Sequence, residues 1–371
     1  MRCKTAIYLV LVMSGVMLLL ACQKQEPLKI GFIGGLSGKA ADLGGAGRNG
    51  VQLAMEQRNA VGGINGRQIE LVVRDDEQNP DIARRVAGEL IDQNIELIIG
   101  PMTSSVAMAI MPQINASGSI LLSPTVTTTD LVGKDDNFLR IMSVTTDYAA
   151  KSARYQFEKS GVRTVAAIYE IGNKSYTESW LNDFRTTFTA LGGRVILAKS
   201  FQSGKDTIFQ PLVKDLLSAK ADAVLIITNA VDSALICQQL RALAPDQRIL
   251  MSEWASTERF MELSGKASEG VVVAQFLDRN NTTQKYHDFL AAYRARFKQE
   301  PGFAGVAGYD AALVALEAYS GRKQVESLKD TIIGKKSFQG VQQSLNIDKF
   351  GDADRKTFVT VIRENQFITV E

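Results

Sequence analysis

The stretch IELIIGPMTSS, residues 95–105, contains the two patterns that decide the fold. Its apolar run LIIG is typical of a strand that is covered on both faces, as in a parallel sheet between layers of helices. The serines that follow begin a helical pattern, so they place hydroxyls and free backbone N–H groups at a helix N-terminus. The stretch predicts a strand–loop–helix unit with polar groups at the carboxyl end of the strand.

The same alternation extends along the chain in both directions. In the first unit, the predicted strands are KIGFIGGL, IELVVRDD, IELIIG and SILLSP, and the predicted helices span 47–59, 80–93 and 103–116. After Thr145 the predicted strands are TVAAIYE, GRVILAKSF, AVLIIT, RILMS and GVVVAQ, with helices near 175–190, 207–219, 232–243 and 256–264. This part is followed by two predicted helices, at 282–298 and 304–320, and by the predicted strands KTFVTVIRE and QFITVE. The pattern predicts two successive α/β units with a helical and β tail.

The N-terminus is different from the rest of the chain. Arg2 and Lys4 precede an uncharged apolar run at 6–21, which indicates an export signal over residues 1–21, with a plain N-terminal anchor helix as the alternative. The run ends in LLAC, which resembles the lipobox of bacterial lipoproteins and implies a lipid on Cys22. Removing residues 1–21 lowers the formal net charge from +2 to 0, which gives no electrostatic reason to expect nucleic-acid binding.

Three cysteines are present, and Cys3 leaves with the signal. Cys22 is the expected lipid site, so Cys237 is left without a partner for an intrachain disulfide. Its surroundings, VDSALICQQLRAL, have the apolar spacing of a helix and predict a buried, unreactive thiol.

A literal G-x-G-x-x-G occurs at Gly45, Gly47 and Gly50. A dinucleotide-binding fingerprint requires these glycines directly after the first strand, whereas here a long loop precedes them. The glycines are therefore expected to end a loop and begin a helix that approaches something closely.

The sequence also gives little support for catalysis, because His287 is the single histidine and no nucleophile or zinc motif accompanies it. The sequence predicts a protein that is not an enzyme and holds no cofactor or metal.

Polar residues follow several predicted strands at their carboxyl ends, where open α/β sheets bind ligands. These residues are Ser104 and Ser105 after strand three, Thr125 and Thr127 after strand four, and Glu253 with Trp254 after RILMS. Taken singly, a helix N-cap or a solvated acid explains them equally well. Taken together, they outline an anion site on one unit and an acid for an ammonium on the other. This arrangement suits an α-amino acid held between two domains.

Seven landmarks in one order resemble those of a known family. They are IGFIGGLSG, AVGGINGRQIELVVRDDEQNP, IIGPMTSS, LLSPTVTTTDL, YEIGNKSY, LMSEWAS and GYDAAL. Over residues 28–371 the chain resembles the type I periplasmic binding proteins of branched-chain amino acid and amide ABC importers. The resemblance implies two Rossmann-like domains with mainly parallel sheets joined by a hinge. The expected lobes are 28–144 plus 276–348 and 145–275 plus 349–371.

The resemblance also implies roles for individual residues. The Ser104 hydroxyl would hold the ligand carboxylate, and Thr125 would offer its backbone carbonyl to the ammonium. Thr127 would offer its hydroxyl and N–H, Tyr176 would close over the ligand, and Glu253 would balance the ammonium charge.

Some positions depart from the family pattern. Family members often carry an aromatic residue at the position of Leu43 and another near that of Asp232. The absence of both, together with Trp254, implies a side-chain pocket whose walls differ from those of the family. Asp232 either accepts a polar or basic ligand side chain or caps the helix that follows it. Cysteines found in some members at Gln78 and Thr103 are both replaced here.

The expected function is that of an extracytoplasmic lipoprotein, anchored at the cell envelope, that supplies an ABC permease. It would bind a branched-chain or other neutral amino acid by hinge closure and act as a monomer. A sensory protein of the same fold, for amides or carboxylates, is the alternative.

Overall fold

The computed structural model describes residues 25–371, so the predicted signal segment and Cys22 lie outside the described residues. The first part of the chain contains β1 (Leu28–Gly34), α1 (Ala41–Ala60), β2 (Ile69–Asp75), α2 (Pro80–Ile91), β3 (Leu97–Ile99), α3 (Ser104–Ala116), β4 (Ile120–Ser123) and β5 (Phe138–Arg140). The five strands form one parallel sheet in the order β2-β1-β3-β4-β5. All residues of β3 and β4 are buried, as their apolar sequences predict for strands between two helical layers.

The middle of the chain supplies a second sheet. Its elements are α4 (Thr145–Arg154), β6 (Thr164–Glu170), α5 (Lys174–Ala190), β7 (Arg194–Phe201), α6 (Gln210–Ser218), β8 (Ala223–Ile227), α7 (Ala230–Leu243), β9 (Arg248–Met251), α8 (Glu258–Ser264) and β10 (Val272–Gln275). The strands β7-β6-β8-β9-β10 are parallel in that order. The predicted α/β class with mainly parallel sheets is confirmed.

The rest of the chain returns to the first sheet and then completes the second. It contains α9 (Gln284–Phe297), α10 (Gly302–Gly321), α11 (Leu328–Lys335), β11 (Ser337–Gln339), β12 (Ser344–Ile347), β13 (Ala353–Asp354), β14 (Phe358–Arg363) and β15 (Gln366–Thr369). Helix α10 packs on α1, and β11–β13 form a small antiparallel sheet beside α10. Strands β14 and β15 extend the second sheet to seven strands, because β14 pairs antiparallel with β10.

We call the elements around the first sheet (β1–β5, α1–α3, α9–α11, β11–β13) the first lobe, and the remaining elements the second lobe. The chain passes between them at 141–144, at 276–283 and at 355–357. The third passage follows β13 and so lies later than the expected boundary at 349. Arg355 joins all three passages, since its N–H donates to Ser143 Oγ at 2.8 Å and its guanidinium lies 4.1 Å from the Phe276 ring centroid. The division into two lobes that move independently stays a prediction.

The structure corrects the prediction for the glycine-rich segment. Helix α1 begins at Ala41, after a short 3₁₀ turn at Gly38–Ala40, so Gly45, Gly47 and Gly50 lie inside the helix. The close approach is to α10: a Cβ on Gly50 would lie 2.1 Å from the Gly305 carbonyl oxygen. Gly50 therefore allows the two helices to pack closely, and the three glycines, which all lie inside the helix, form no phosphate-binding turn.

Candidate functional site

A cavity between the two lobes lies at the carboxyl ends of both parallel sheets. Seven of the nine predicted ligand-binding residues line it, namely Leu43, Ser104, Thr125, Thr127, Tyr176, Glu253 and Trp254. Its volume is about 20 Å³, which is little more than one ordered water needs. The closed arrangement of its walls therefore leaves no room for an amino acid unless the walls separate.

The first lobe contributes hydroxyl groups to this cavity. Ser104 is buried and is the first residue of α3, beside the free N–H groups of the helix N-terminus. The Thr125 hydroxyl donates to the Met102 carbonyl oxygen at 2.7 Å and is therefore already bonded. The Thr127 hydroxyl is buried and has no hydrogen-bond partner among residues 25–371. A buried polar atom without a hydrogen bond lowers the stability of the folded state. The Thr127 hydroxyl is therefore placed to form a hydrogen bond with a molecule in the cavity.

The second lobe contributes two aromatic side chains. Tyr176 lies in the first turn of α5, and its ring meets that of Trp254 edge to face, with 5.7 Å between centroids and an angle of 79°. The Tyr176 hydroxyl is a second buried polar atom without a partner in the part of the chain that the structure describes. The aromatic pair forms one wall of the cavity, and the Tyr176 hydroxyl lies on that wall.

Glu253 places a carboxyl group in the same cavity. It begins a short 3₁₀ helix directly after β9, and its Oε2 accepts a hydrogen bond from Trp180 Nε1 at 2.9 Å. Its Oε1 is buried and has no partner among the described residues. Burial raises the pKa of Glu253 from 4.5 to about 7, although its own backbone N–H, the Trp180 N–H and the nearby Tyr176 hydroxyl oppose the shift. The site thus holds an acid that forms no salt bridge within the part of the chain that the structure describes.

The two other predicted residues lie outside the cavity. Ser105 joins the lobes, because its N–H donates to Asn173 Oδ1 at 2.9 Å and its Oγ accepts from Ser175 N at 3.2 Å. Asp232 forms a salt bridge with Lys39, with 2.6 Å between Nζ and Oδ1.

Neither interpretation of Asp232 matches this placement. Its carboxylate is already bonded to Lys39, so it offers no free charge to a ligand side chain. The N-cap of α7 is Asn229, whose Oδ1 accepts from the Asp232 backbone N–H at 3.0 Å.

Several lining residues escaped the sequence analysis. Met102, Thr103, Met142, Asn173 and Phe303 also line the cavity. Asn173 directly follows the predicted strand TVAAIYE and its turn, so its position after a strand was a usable signal. Phe303 enters from the start of α10, far along the chain, and no local pattern predicts that approach.

Other features of the described residues bear on function. No group of three His, Cys, Asp or Glu side chains suited to a metal ion occurs within residues 25–371. Within the same range, no helix is both long and apolar enough to cross a membrane. Cys237 is buried as predicted, and burial raises the pKa of its thiol to about 12.

A sequence model of a protein family, described as "Periplasmic binding protein", matches residues 27–366. The chain belongs to the periplasmic binding protein family. The match covers both lobes and all the cavity residues named above. This membership confirms the family resemblance and implies a location outside the cytoplasm.

Individual proteins agree with this assignment. The Leu/Ile/Val-binding protein BraC3 of Rhizobium johnstonii is 26% identical over 292 residues, which is 78% of each chain. The crystal structure of the leucine-binding protein LivK from Thermotoga maritima has a TM-score of 0.85 and 25% identity, and the match covers 93% of this chain and 98% of that one. A solute-binding protein of an R. palustris ABC transporter, solved with benzoate, has a TM-score of 0.84 at 19% identity over 93% and 95% of the two chains. This periplasmic binding protein therefore has a solute-binding role, and its relatives are binding proteins rather than enzymes.

Proposed function

We propose that this periplasmic binding protein captures a neutral α-amino acid in the cavity between its lobes and presents it to an ABC permease. The observation that carries the proposal is the convergence of three buried polar atoms that have no hydrogen-bond partner among residues 25–371. Thr127 Oγ1, Tyr176 Oη and Glu253 Oε1 all belong to residues that line one cavity. Buried polar atoms in proteins are nearly always hydrogen-bonded, so the three together indicate a ligand with polar groups.

The chemistry of these groups suits a zwitterion. A ligand ammonium beside Glu253 would supply the counter-charge that the buried carboxyl lacks. The ligand carboxylate would lie at the N-terminus of α3, near Ser104, where the helix dipole favours an anion and the Ser105 N–H alone is already bonded, to Asn173. The lining also includes Leu43, Met102 and Phe303, which favours the uncharged parts of a small molecule.

The size of the cavity supports hinge closure. Its walls come from both lobes, and contacts such as that between Ser105 and Asn173 hold them together. Because about 20 Å³ remains inside, a ligand has to enter while the lobes are apart, and the lobes then close around it in an arrangement that is wider than the present one. The enclosed form is the state that a permease would recognise.

Calorimetric titration of the mature protein, freed of bound ligand by unfolding and refolding, tests the proposal. We expect a set of neutral α-amino acids to bind. Glu253→Gln should weaken that binding by about 3 kcal/mol, roughly 100-fold, because the ammonium loses its charged partner. Glu178→Gln changes an exposed glutamate on α5 and serves as the control. Unchanged affinity in Glu253→Gln would contradict the assignment.

Aromatic carboxylates are a second candidate class of ligand. Three aromatic residues line the cavity, Tyr176, Trp254 and Phe303, and the R. palustris neighbour was solved with benzoate. A protonated Glu253 would then donate to the carboxylate. Titration with benzoate under the same conditions separates the classes, since binding of benzoate without any amino acid favours this candidate.

We also propose that a lipid on Cys22 anchors the protein and that its role is transport rather than sensing. Support comes from the LLAC sequence and from the transport function in the names of its neighbours. Mass spectrometry of the membrane-bound protein and of a Cys22→Ser variant tests the anchor. Uptake of the labelled ligand by cells lacking the protein tests the transport role, and unchanged uptake would favour sensing.

A further inference from the structure

The side chain of Trp180 contacts Glu253 without lining the cavity itself. Its Nε1 lies 2.9 Å from Glu253 Oε2, and it is not among the residues that form the cavity walls. Trp180 is fully buried in α5, one turn after Tyr176, which does line the cavity. One helix therefore supplies both a wall of the proposed ligand site and a hydrogen bond to the acid of that site.

A row of stacked aromatic rings along α5 holds the indole in place. The Trp180 ring stacks on that of Phe184, with 5.7 Å between centroids and an angle of 12°. Phe184 in turn stacks on Phe188, with 5.1 Å between centroids, and all three side chains are fully buried. Close packing of this kind leaves the indole few alternative orientations, so the direction of its N–H is fixed. Because Trp180 and Glu253 both belong to the second lobe, their hydrogen bond does not depend on closure.

This hydrogen bond gives the two carboxyl oxygens of Glu253 different roles. An indole N–H donates and cannot accept, so Oε2 has to act as the acceptor. Oε1 has no partner among residues 25–371 and belongs to a side chain that lines the cavity. The ionised carboxylate therefore keeps Oε1 available to a ligand. A donor to the carboxylate also favours the ionised form, and so the Trp180 N–H opposes the effect of burial on the pKa of Glu253.

We infer, on the basis of the proposed amino-acid function, that Trp180 is a positioning residue whose N–H keeps Glu253 ionised and oriented with Oε1 towards the ligand ammonium. Trp180 itself does not touch the ligand. Without the N–H, the Glu253 side chain gains rotational freedom that has to be lost again on binding. The buried carboxyl also loses a donor that stabilises its charge.

Two titratable side chains lie close enough to Glu253 to interact with its charge, Tyr176 from α5 and Tyr148 from α4. Burial raises the pKa of both well above the usual value for tyrosine, so both stay neutral through the neutral range of pH. A difference in pH dependence between the wild type and a Trp180 variant therefore reports on Glu253.

Two variants remove the N–H. Trp180→Phe leaves a smaller ring, whereas a variant with benzothienylalanine at position 180 keeps the shape of the indole and loses only the donor. The second variant decides the test if Trp180→Phe fails to fold. Phe188→Leu is the control, because it alters the same aromatic row about two turns further along α5.

Calorimetry of the mature protein with leucine, valine and alanine measures the affinity. At pH 8 we expect about 2- to 10-fold weaker binding in both Trp180 variants, since the carboxyl is no longer held in one orientation. An ammonium needs the ionised carboxyl, so the affinity falls as the pH falls through the pKa of Glu253 in the ligand-free protein. Without the donor, this fall should begin about one to two pH units higher. Carbon NMR of the labelled carboxyl in the ligand-free protein should show the pKa of Glu253 raised by the same amount.

The outcomes distinguish this inference from the proposed function. If the Trp180 variants match the wild type in affinity and pH dependence, Trp180 is only structural and the inference is overturned, while the amino-acid function stands. If Phe188→Leu changes both quantities as much as the Trp180 variants do, packing explains the effect and the inference is likewise overturned. If the wild type binds no amino acid, the proposed function fails. The NMR titration then still decides whether Trp180 holds the carboxyl, because an unchanged pKa of Glu253 contradicts it.

Discussion

Lys39 of the first lobe and Asp232 of the second lobe form a salt bridge across the cleft, with 2.6 Å between Nζ and Oδ1. The Asp232 side chain is fully buried, whereas that of Lys39 is 28% exposed. Lys39 also donates to the Gly204 carbonyl oxygen at 2.9 Å, and Asp232 accepts from Asn229 Nδ2 at 2.8 Å. Since the two partners belong to different lobes, opening the cleft breaks the bridge. It should therefore favour the closed form without touching the ligand.

Lys39→Met should weaken ligand binding by about 1–2 kcal/mol, which is roughly 5- to 30-fold. This range lies between the contributions of exposed ion pairs and the cost of breaking buried ones. The reason is that closure then leaves Asp232 buried without its cation. Calorimetry gives the affinity, and small-angle scattering should show a larger radius of gyration. Lys199→Met is the control, because its partner Asp215 lies in the same lobe and both side chains are largely exposed. Equal ligand affinities in the wild type, Lys39→Met and Lys199→Met would show that the Lys39–Asp232 bridge does not assist closure.

Glu253 should make closure of the unliganded protein depend on pH. In the closed structure burial raises its pKa to about 7, whereas a solvated carboxyl in an open cleft titrates near 4.5. A raised pKa favours the protonated form, so its contribution to closure is complete below pH 4.5. That contribution is lost as the pH rises through about 7. The difference corresponds to about 3 kcal/mol at most.

We therefore expect the unliganded protein to be more compact at pH 5 than at pH 8. Small-angle scattering at the two pH values measures the change. Glu253→Gln, which stays uncharged, should be compact at both. The same radius of gyration for the wild type at both pH values would contradict the argument.

Much of the fold followed from the sequence, for a physical reason. Strands covered on both faces have to be apolar, so runs such as LIIG and AVLII mark parallel sheets without further information. Strand β5, Phe138–Arg140, was missed because three residues carry no clear pattern. The start of α1 was misplaced because glycine has low helix propensity, and only the distant α10 explains why Gly50 is tolerated.

The positions of some residues at the cavity could be predicted from strand ends. Thr127 and Glu253 were selected because both follow within a few residues of strands whose carboxyl ends meet at the cleft, and both line the cavity. The surroundings of Asp232 were not predictable, since its partner Lys39 lies 193 residues away. Pairing at that distance depends on how the lobes meet, and no local pattern contains that information.

The contact between α1 and α10 gives a matched pair of glycine substitutions. Gly50→Ala should lower the free energy of unfolding by about 1–3 kcal/mol or more, because its Cβ would lie 2.1 Å from the Gly305 carbonyl oxygen. Gly45→Ala is in the same helix, and apart from that helix's own backbone no atom of residues 25–371 lies within 4 Å of the added Cβ, so this change should raise the free energy of unfolding by about 0.5–1 kcal/mol. Urea denaturation measures both. Equal changes in the free energy of unfolding would show that helix propensity, and not packing against α10, determines the effect of alanine at both positions.

Arg355 and Asp310 form a salt bridge at the passages between the lobes. The distance from Nη2 to Oδ2 is 2.9 Å, and both side chains are fully buried. Asp310 Oδ1 also accepts from the Val341 N–H at 2.8 Å. The pair therefore ties the third passage to α10 and to the small antiparallel sheet.

Asp310→Asn should lower the free energy of unfolding by about 3–5 kcal/mol, because it leaves the Arg355 guanidinium buried without an anion. The asparagine can still accept from Val341, so the loss reports mainly on the charge. Adding Arg355→Met removes the unpaired charge, and the double variant should therefore be more stable than Asp310→Asn alone. A double-mutant cycle by urea denaturation measures this coupling. Additive losses would mean that the two residues stabilise the passages separately, by packing, and that their ion pair contributes nothing of its own.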